Sequence, residues 1–113
     1  MRQLLLLAVF AATTLALVGG AQADVRLKAI TCPVKASASF KVIGASGEAE
    51  GIASEYQWLA LKRPGWTREQ QALITVGAKS YDLLDIRKGR QHQVICFDIT
   101  DFFGQEAPPA KRR

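Results

Sequence analysis

The residues able to do chemistry in this chain are few. There is one histidine, His92, and two cysteines, Cys32 and Cys96. His92 stands beside the basic turn Arg87-Lys88-Gly89-Arg90, and nothing local supplies the acid or nucleophile that a general base must work with. One histidine and two distant cysteines do not make a zinc site, which needs several ligands at workable spacing. Asp98 and Asp101 could share a hard cation, but two carboxylates at a strand end more commonly cap a turn. No metal and no cofactor is expected. A carboxylate pair of the kind that hydrolyses glycosidic bonds could form in space from Glu50, Glu55, Glu69, Asp82, Asp85 and Asp98. No spacing singles out any two of them. Gly44-Ala45-Ser46-Gly47 precedes a helix but lacks the Lys and Ser/Thr of a phosphate loop. Glu48 and Glu50 would repel an anion there, so the segment reads as a capping turn. The chain reads as a binder without catalytic residues.

The cysteines gain meaning from the first 23 residues. Arg2 gives a positive start, Leu4 to Val18 is almost wholly apolar, and Ala21-Gln22-Ala23 offers small residues for cleavage. These are the three parts of a secretory signal peptide. The apolar run is shorter than the roughly 20 residues of a membrane span. No second long apolar run follows, so no membrane span is expected in the mature chain. Cleavage after Ala23 leaves one domain, 24–104, and a flexible basic tail, 105–113. In an oxidising compartment Cys32 and Cys96 pair by default. A loop of that length is worth about 4 kcal/mol in the chain-entropy account. The chain has no Asn, hence no glycosylation acceptor, and its net charge is +5. Periplasmic or secreted location follows.

The elements that must position these residues come from periodicity. Asp24 to Ile30 alternates as a half-exposed strand, and Ser37 to Ile43 is a second short strand candidate. Glu48 to Leu61 reads as a helix. Ala49, Ile52, Ala53, Tyr56, Leu59 and Ala60 form its apolar stripe, Ser46 its N-cap and Pro64-Gly65 its stop. Gly51 costs such a helix about 1 kcal/mol. Trp66 to Val76 ends β-rich and reads as a strand. Thr67-Arg68-Glu69-Gln70 keeps a second helix open as the alternative. Ser80 to Arg87 and Gln91 to Ile99 are strands joined by a tight turn at Lys88-Gly89. Ile95, Phe97 and Ile99 share one face of the last strand. Val94, Cys96 and Asp98 share the other. Phe102 and Phe103 cap the core. The expected fold is α+β: one helix packed on an antiparallel sheet of three to five strands, with a meander after the helix and one disulfide.

The run Tyr56-Gln57-Trp58-Leu59-Ala60-Leu61-Lys62-Arg63-Pro64-Gly65-Trp66, with Tyr81-Asp82-Leu83-Leu84 and Phe97-Asp98-Ile99-Thr100, resembles the PepSY-like domains. These are small bacterial envelope modules, and related architectures occur in proteinaceous β-lactamase inhibitors. Asp101-Phe102-Phe103-Gly104 stands where such domains often carry an Asp and a Thr-Gly turn. The resemblance implies a non-enzymatic binding or inhibitory role and carries no catalytic residues with it.

The expected function is therefore a small exported protein that binds another macromolecule, an inhibitor or immunity-type factor acting on a protein of the cell envelope. Trp58, Trp66, Tyr81, Arg87, Lys88 and Arg90 are the candidate contacts, with Trp66 and Tyr81 on one sheet face. Trp58 lies off the helix stripe. The alternatives are a polyanion- or lipopolysaccharide-binding protein using the basic turn and Lys111-Arg112-Arg113, and a carboxylate-dependent envelope hydrolase. No nucleic acid is expected.

Overall fold

The computed structural model describes residues 25–106. The expected signal peptide, 1–23, and the basic end of the expected tail, 107–113, lie outside the described residues. The elements run β1 (Arg26–Ala29), β2 (Ala38–Ile43), α1 (Glu48–Lys62), β3 (Thr67–Val76), β4 (Lys79–Lys88) and β5 (Gln91–Asp98). They form one five-stranded sheet in the order β1-β2-β5-β4-β3. The α+β class, the single helix and the meander are those expected. Trp66 to Val76 resolves as strand, because β4 pairs with it along nearly its whole length.

One pairing is not antiparallel. β2 runs parallel to β5, with Phe40 opposite Phe97. The helix carries the chain from β2 to the far edge of the sheet, and the meander walks back until β5 meets β2. Two tight turns make that return possible. Gly77 and Gly89, both at φ 62°, open two-residue turns at Gly77-Ala78 and Gly89-Arg90. Glycine at the first central position with positive φ matches the twist of the strands it joins.

The Cys32–Cys96 disulfide forms, with Cα atoms 6.5 Å apart and 64 residues of separation. Cys96 is on the face of β5 away from the core, so the bond straps the loop after β1 over that face. It ties an edge hairpin to the central strand across β2.

The core lies between α1 and the other face. Val42, Leu84, Ile86, Ile95, Phe97, Ile99 and Phe102 are buried there. The helix presents the expected stripe only in part: Ile52, Tyr56 and Leu59 are half-buried, Tyr56 and Leu59 against the core. Ala49, Ala53 and Ala60 are exposed, and the buried positions are Gly51 and Glu55. Trp58, one turn further, packs on Phe40 at 5.1 Å and Phe97 at 6.1 Å between ring centroids. The line Gly51–Glu55–Trp58 is a proper i, i+4, i+7 face. A hydropathy pattern misses it because two of its three members are a glycine and a carboxylate. Ser46 does not cap the helix either. The N-cap position is Gly47, without a side-chain bond, and the Ser46 N–H donates to Glu50 Oε1 at 2.6 Å.

Gly51 has a specific cause. A Cβ built there would lie 2.2 Å from Cζ of Phe102. The Phe102 ring is seated against the bare helix backbone, and it is 1% exposed. The turn that carries it is pinned to the helix start. The Glu48 N–H donates to the Gln105 carbonyl at 2.9 Å, and the Gln105 N–H donates to the Phe102 carbonyl at 2.9 Å. Gln105 is thus held, not part of a tail that begins there.

Gly51→Ala inverts the usual helix rule. Alanine improves propensity by about 1 kcal/mol, yet overpacking against a buried ring costs about 1–3 kcal/mol. The expected net result is a lower urea midpoint, by up to about 2 kcal/mol of stability. A variant as stable as the parent or more so would contradict the seating of Phe102.

Candidate functional site

Glu55 is the anomaly of the core. It is 0% exposed, and neither carboxyl oxygen has a hydrogen-bond donor. The group that faces it is another carboxyl, Asp82 of β4, which is 5% exposed. Burial, the hydrogen bond to Asp82 and the Asp82 charge, in that order, push Glu55 up to about 10. Glu55 therefore holds a proton at neutral pH, and the pair is satisfied when that proton is donated to Asp82. Two bare carboxylates at this distance from water would not coexist.

The topology makes the meeting. Asp82 pairs with Phe97 and Leu73, and it shares the core-facing side of β4 with Leu84 and Ile86. Glu55 sits mid-helix on the line that crosses this side. A chain of contacts then leads outward. Gln71 of β3 donates from Nε2 to both Asp82 oxygens, at 3.1 and 2.9 Å. Tyr56 donates to Gln71 Oε1 at 3.1 Å. The Arg68 guanidinium lies 4.2 Å over the Tyr56 ring. The two ion pairs among the described residues, Lys41–Asp101 and Arg87–Glu69, lie elsewhere. No cation joins the Glu55–Asp82 pair.

Asp82 and Gln71 also line an open cavity of about 180 Å³, together with Glu48, Ile52, Leu73, Ile99, Phe102 and Phe103. The cavity is below the roughly 300–1,000 Å³ of drug-sized ligand sites. A second hollow of about 350 Å³ lies toward the other end of β3, lined by Tyr56, Leu59, Arg63, Trp66 and Arg68 among others.

The strand beside both is the sheet edge. Nine of the ten β3 residues are exposed, Leu73 by 50% and Val76 by 48%. A register shift between Arg68 and Gln70 breaks the first part of the strand, as edge strands commonly do to discourage pairing. The rest, Gln70 to Val76, has no charge, proline, glycine or bulge. Its two-residue turn closes on the Val76–Lys79 pair. By antiparallel alternation, Ala72, Ile74 and Val76 then bond to β4, and the N–H and C=O groups of Gln71, Leu73 and Thr75 point to the open edge.

The sequence candidates scatter over the molecule. Glu55 and Asp82 are the two of the six carboxylates that meet as a buried pair. Glu50 accepts from Ser46, Glu69 pairs with Arg87, and Asp85 stands on the opposite face of β4. Glu55 has no surface that a substrate could touch. Asp98 caps a turn by accepting from the Thr100 N–H and hydroxyl at 2.9 and 2.6 Å. Trp58 is spent on the core, with Arg63 stacked on it at 4.9 Å. Trp66 packs beside the core on the helix side. Tyr81 is 6% exposed and lies on the opposite side of the sheet, so the two do not share a face. Arg87, Lys88 and Arg90 are all exposed around the β4–β5 turn, with Arg87 and Lys88 on opposite faces of the strand. Arg87 is bonded to the Gly89 carbonyl and paired with Glu69, Lys88 lies over Gly65, and Arg90 is in the turn. His92 is exposed opposite Arg87. No stretch of sequence flagged the open edge as a site, although its uncharged run was readable.

Compared with known protein families, curated proteins and solved structures, the chain matches none.

The buried carboxyl sets a pH test. Glu55 is raised in the folded state from 4.5 to about 10, so the folded protein binds a proton that the unfolded chain releases. Stability is complete below the unfolded value and falls as pH rises between the two, by on the order of 1 kcal/mol per unit for this group. Glu55→Gln keeps a donor toward Asp82 and does not titrate. Urea midpoints should match the parent near about pH 4 and exceed it increasingly toward about pH 9. Parallel profiles across that range would contradict the assignment.

Proposed function

We propose that this is an exported, non-enzymatic binding protein that takes up an extended segment of a partner protein along the β3 edge. Export rests on the signal-peptide pattern of residues 1–23 and agrees with the disulfide. Among the described residues, no helix is long and apolar enough to cross a membrane. The resemblance to PepSY-like domains leans the same way, toward binding in the cell envelope.

The observation that carries the proposal is the uncharged edge from Gln70 to Val76. Proteins normally blunt such an edge with charge, proline or a bulge. Here the bulge protects one part and leaves the other open. Strand addition supplies main-chain hydrogen bonds for affinity, and pockets beside the strand supply selectivity. β3 has two hollows on its helix side. The hot-spot residue types Tyr, Trp and Arg line one of them, which gives Trp66 the contact role expected of it, on the helix side of the sheet. The engagement of Arg87 with Glu69 and the Gly89 carbonyl weakens the polyanion alternative, and the inaccessibility of Glu55 weakens the hydrolase.

Thr75→Pro is the direct test. It removes an outward N–H and no bond to β4, and proline is tolerated on sheet edges. Partners captured from envelope extract by the parent should be lost by the variant, by about tenfold or more in affinity, while its circular dichroism and urea midpoint stay close to those of the parent. Hydrogen exchange on the captured complex should slow at Gln71, Leu73 and Thr75. Equal capture by the folded variant, or slowing confined to other segments, would overturn the reading.

A further inference from the structure

A strand added to β3 bonds to the outward groups of Gln71, Leu73 and Thr75. It can go no further in register, because the shift between Arg68 and Gln70 breaks the edge there, and such irregularities terminate pairing. Past the break lies the hollow of about 350 Å³ lined by Tyr56, Arg63, Trp66 and Arg68 among others. We propose that the segment taken up is the C-terminus of a partner protein. It runs antiparallel to β3 and ends opposite Gln71, with its terminal carboxylate on Arg68 at the mouth of this hollow. The inference rests on the edge-binding reading and deepens it by naming the chemistry of the partner.

The charge of the hollow points to an anion. Arg68 is exposed, and the ion pairs among the described residues leave it out. Its guanidinium is held all the same, 4.2 Å over the Tyr56 ring, and the Tyr56 hydroxyl is tied to Gln71. Stacking occupies the flat face of a guanidinium and leaves its edge N–H donors for a planar acceptor, which a carboxylate matches. Arg63 lines the same hollow, its Nε committed to Gln93. Lys88 Nζ lies 3.5 Å from where a Cβ on Gly65 would stand. No carboxylate lines the hollow, and Glu69, next to Arg68 in sequence, is turned to Arg87. The carbonyls at the end of α1 that would oppose an anion are occupied. Those of Leu59 and Arg63 accept from backbone N–H groups, and that of Lys62 accepts from Arg63.

Strand geometry points to a chain end. In an antiparallel pair the Gln71 N–H donates to the carbonyl of the residue that faces it, and that residue's chain continues toward Arg68. If the facing residue is the last one, this carbonyl is one oxygen of the terminal carboxylate, and the other oxygen is left for Arg68. A longer chain would find no ladder past the break. The direction follows from the other hollow. A parallel segment would end toward the cavity lined by Glu48 and Asp82, where acidic groups meet a carboxylate unfavourably. Capture of a C-terminal carboxylate beside an open strand edge combines two established modes of peptide recognition.

The probes are short acetylated peptides of alternating threonine and valine. One ends in a free carboxylate, one in a carboxamide, and one in a carboxamide with glutamate as its last residue. Calorimetry reports affinity, and amide exchange at Gln71, Leu73 and Thr75 reports edge docking. The expected result is protection of these amides by all three peptides. The free acid should bind at least about tenfold tighter than the carboxamide, the difference a charge-assisted bond supplies. Arg68→Gln should bring the free acid down to the carboxamide and leave the carboxamide unchanged. A spin label on the N-terminus of the free acid should broaden the Val76 amide and spare that of Arg68. Protected amides with equal affinity for free acid and carboxamide would overturn the carboxylate site and leave edge binding standing. So would a free-acid preference that survives in Arg68→Gln. Glutamate carboxamide bound as tightly as the free acid would overturn the chain-end assignment, as would broadening at Arg68. No protection by any peptide would overturn edge binding and this inference with it.

Discussion

The structure depends on a helix laid across the sheet with a carboxyl group at its centre. A glutamate is almost never fully buried unless it is paired. A buried carboxyl is tolerated only when it is neutral or compensated. Here neutrality comes from the proton that Glu55 retains and from Asp82 placed to receive it. Asp82 is in turn held by both bonds from Gln71, and Gln71 by Tyr56. One buried polar choice on the helix thus fixes residues on β3, on β4 and on the helix itself. Such networks specify geometry more than they add stability.

The remainder of the fold keeps that arrangement in register. Phe102, seated on Gly51, closes the end of the core beyond the network. Trp58, Phe40 and Phe97 close the other side. The disulfide fastens the β1–β2 hairpin from the opposite face, leaving β3 as the edge held by β4 and by the polar network alone. On the binding role proposed above, an edge so placed would accept another strand without disturbing the core. The two hollows beside it differ in charge: arginines line one and carboxyls the other. An extended segment would therefore meet the two ends of β3 differently, which gives direction as well as affinity.

Much of this fold was legible in the sequence, and the exceptions have a common cause. Alternation found the strands, Gly89 found the last turn, and the default pairing of two cysteines found the disulfide. What local pattern could not show was pairing between remote segments. The parallel β2–β5 contact depends on where the meander ends, which no single strand encodes. Gly51 and Glu55 looked like defects in an amphipathic helix because their reasons lie elsewhere, at Phe102 and Asp82. The same holds for the site. Both members of the Glu55–Asp82 pair were among the candidate carboxylates, but only the packing of α1 on β4 singles them out. Tyr81 and Trp66 looked equivalent in sequence, and strand parity sends them to opposite sides of the sheet.

The protonation of Glu55 tests this account most directly. Carboxyl carbon resonances of ¹³C-labelled protein can be followed from acid to alkaline pH, with Glu55→Gln used for assignment. The account predicts that the Glu55 carboxyl is still protonated at neutral pH and titrates only near about 10. A Glu55 resonance that titrates in the ordinary carboxylate range, near about 4.3, would contradict it.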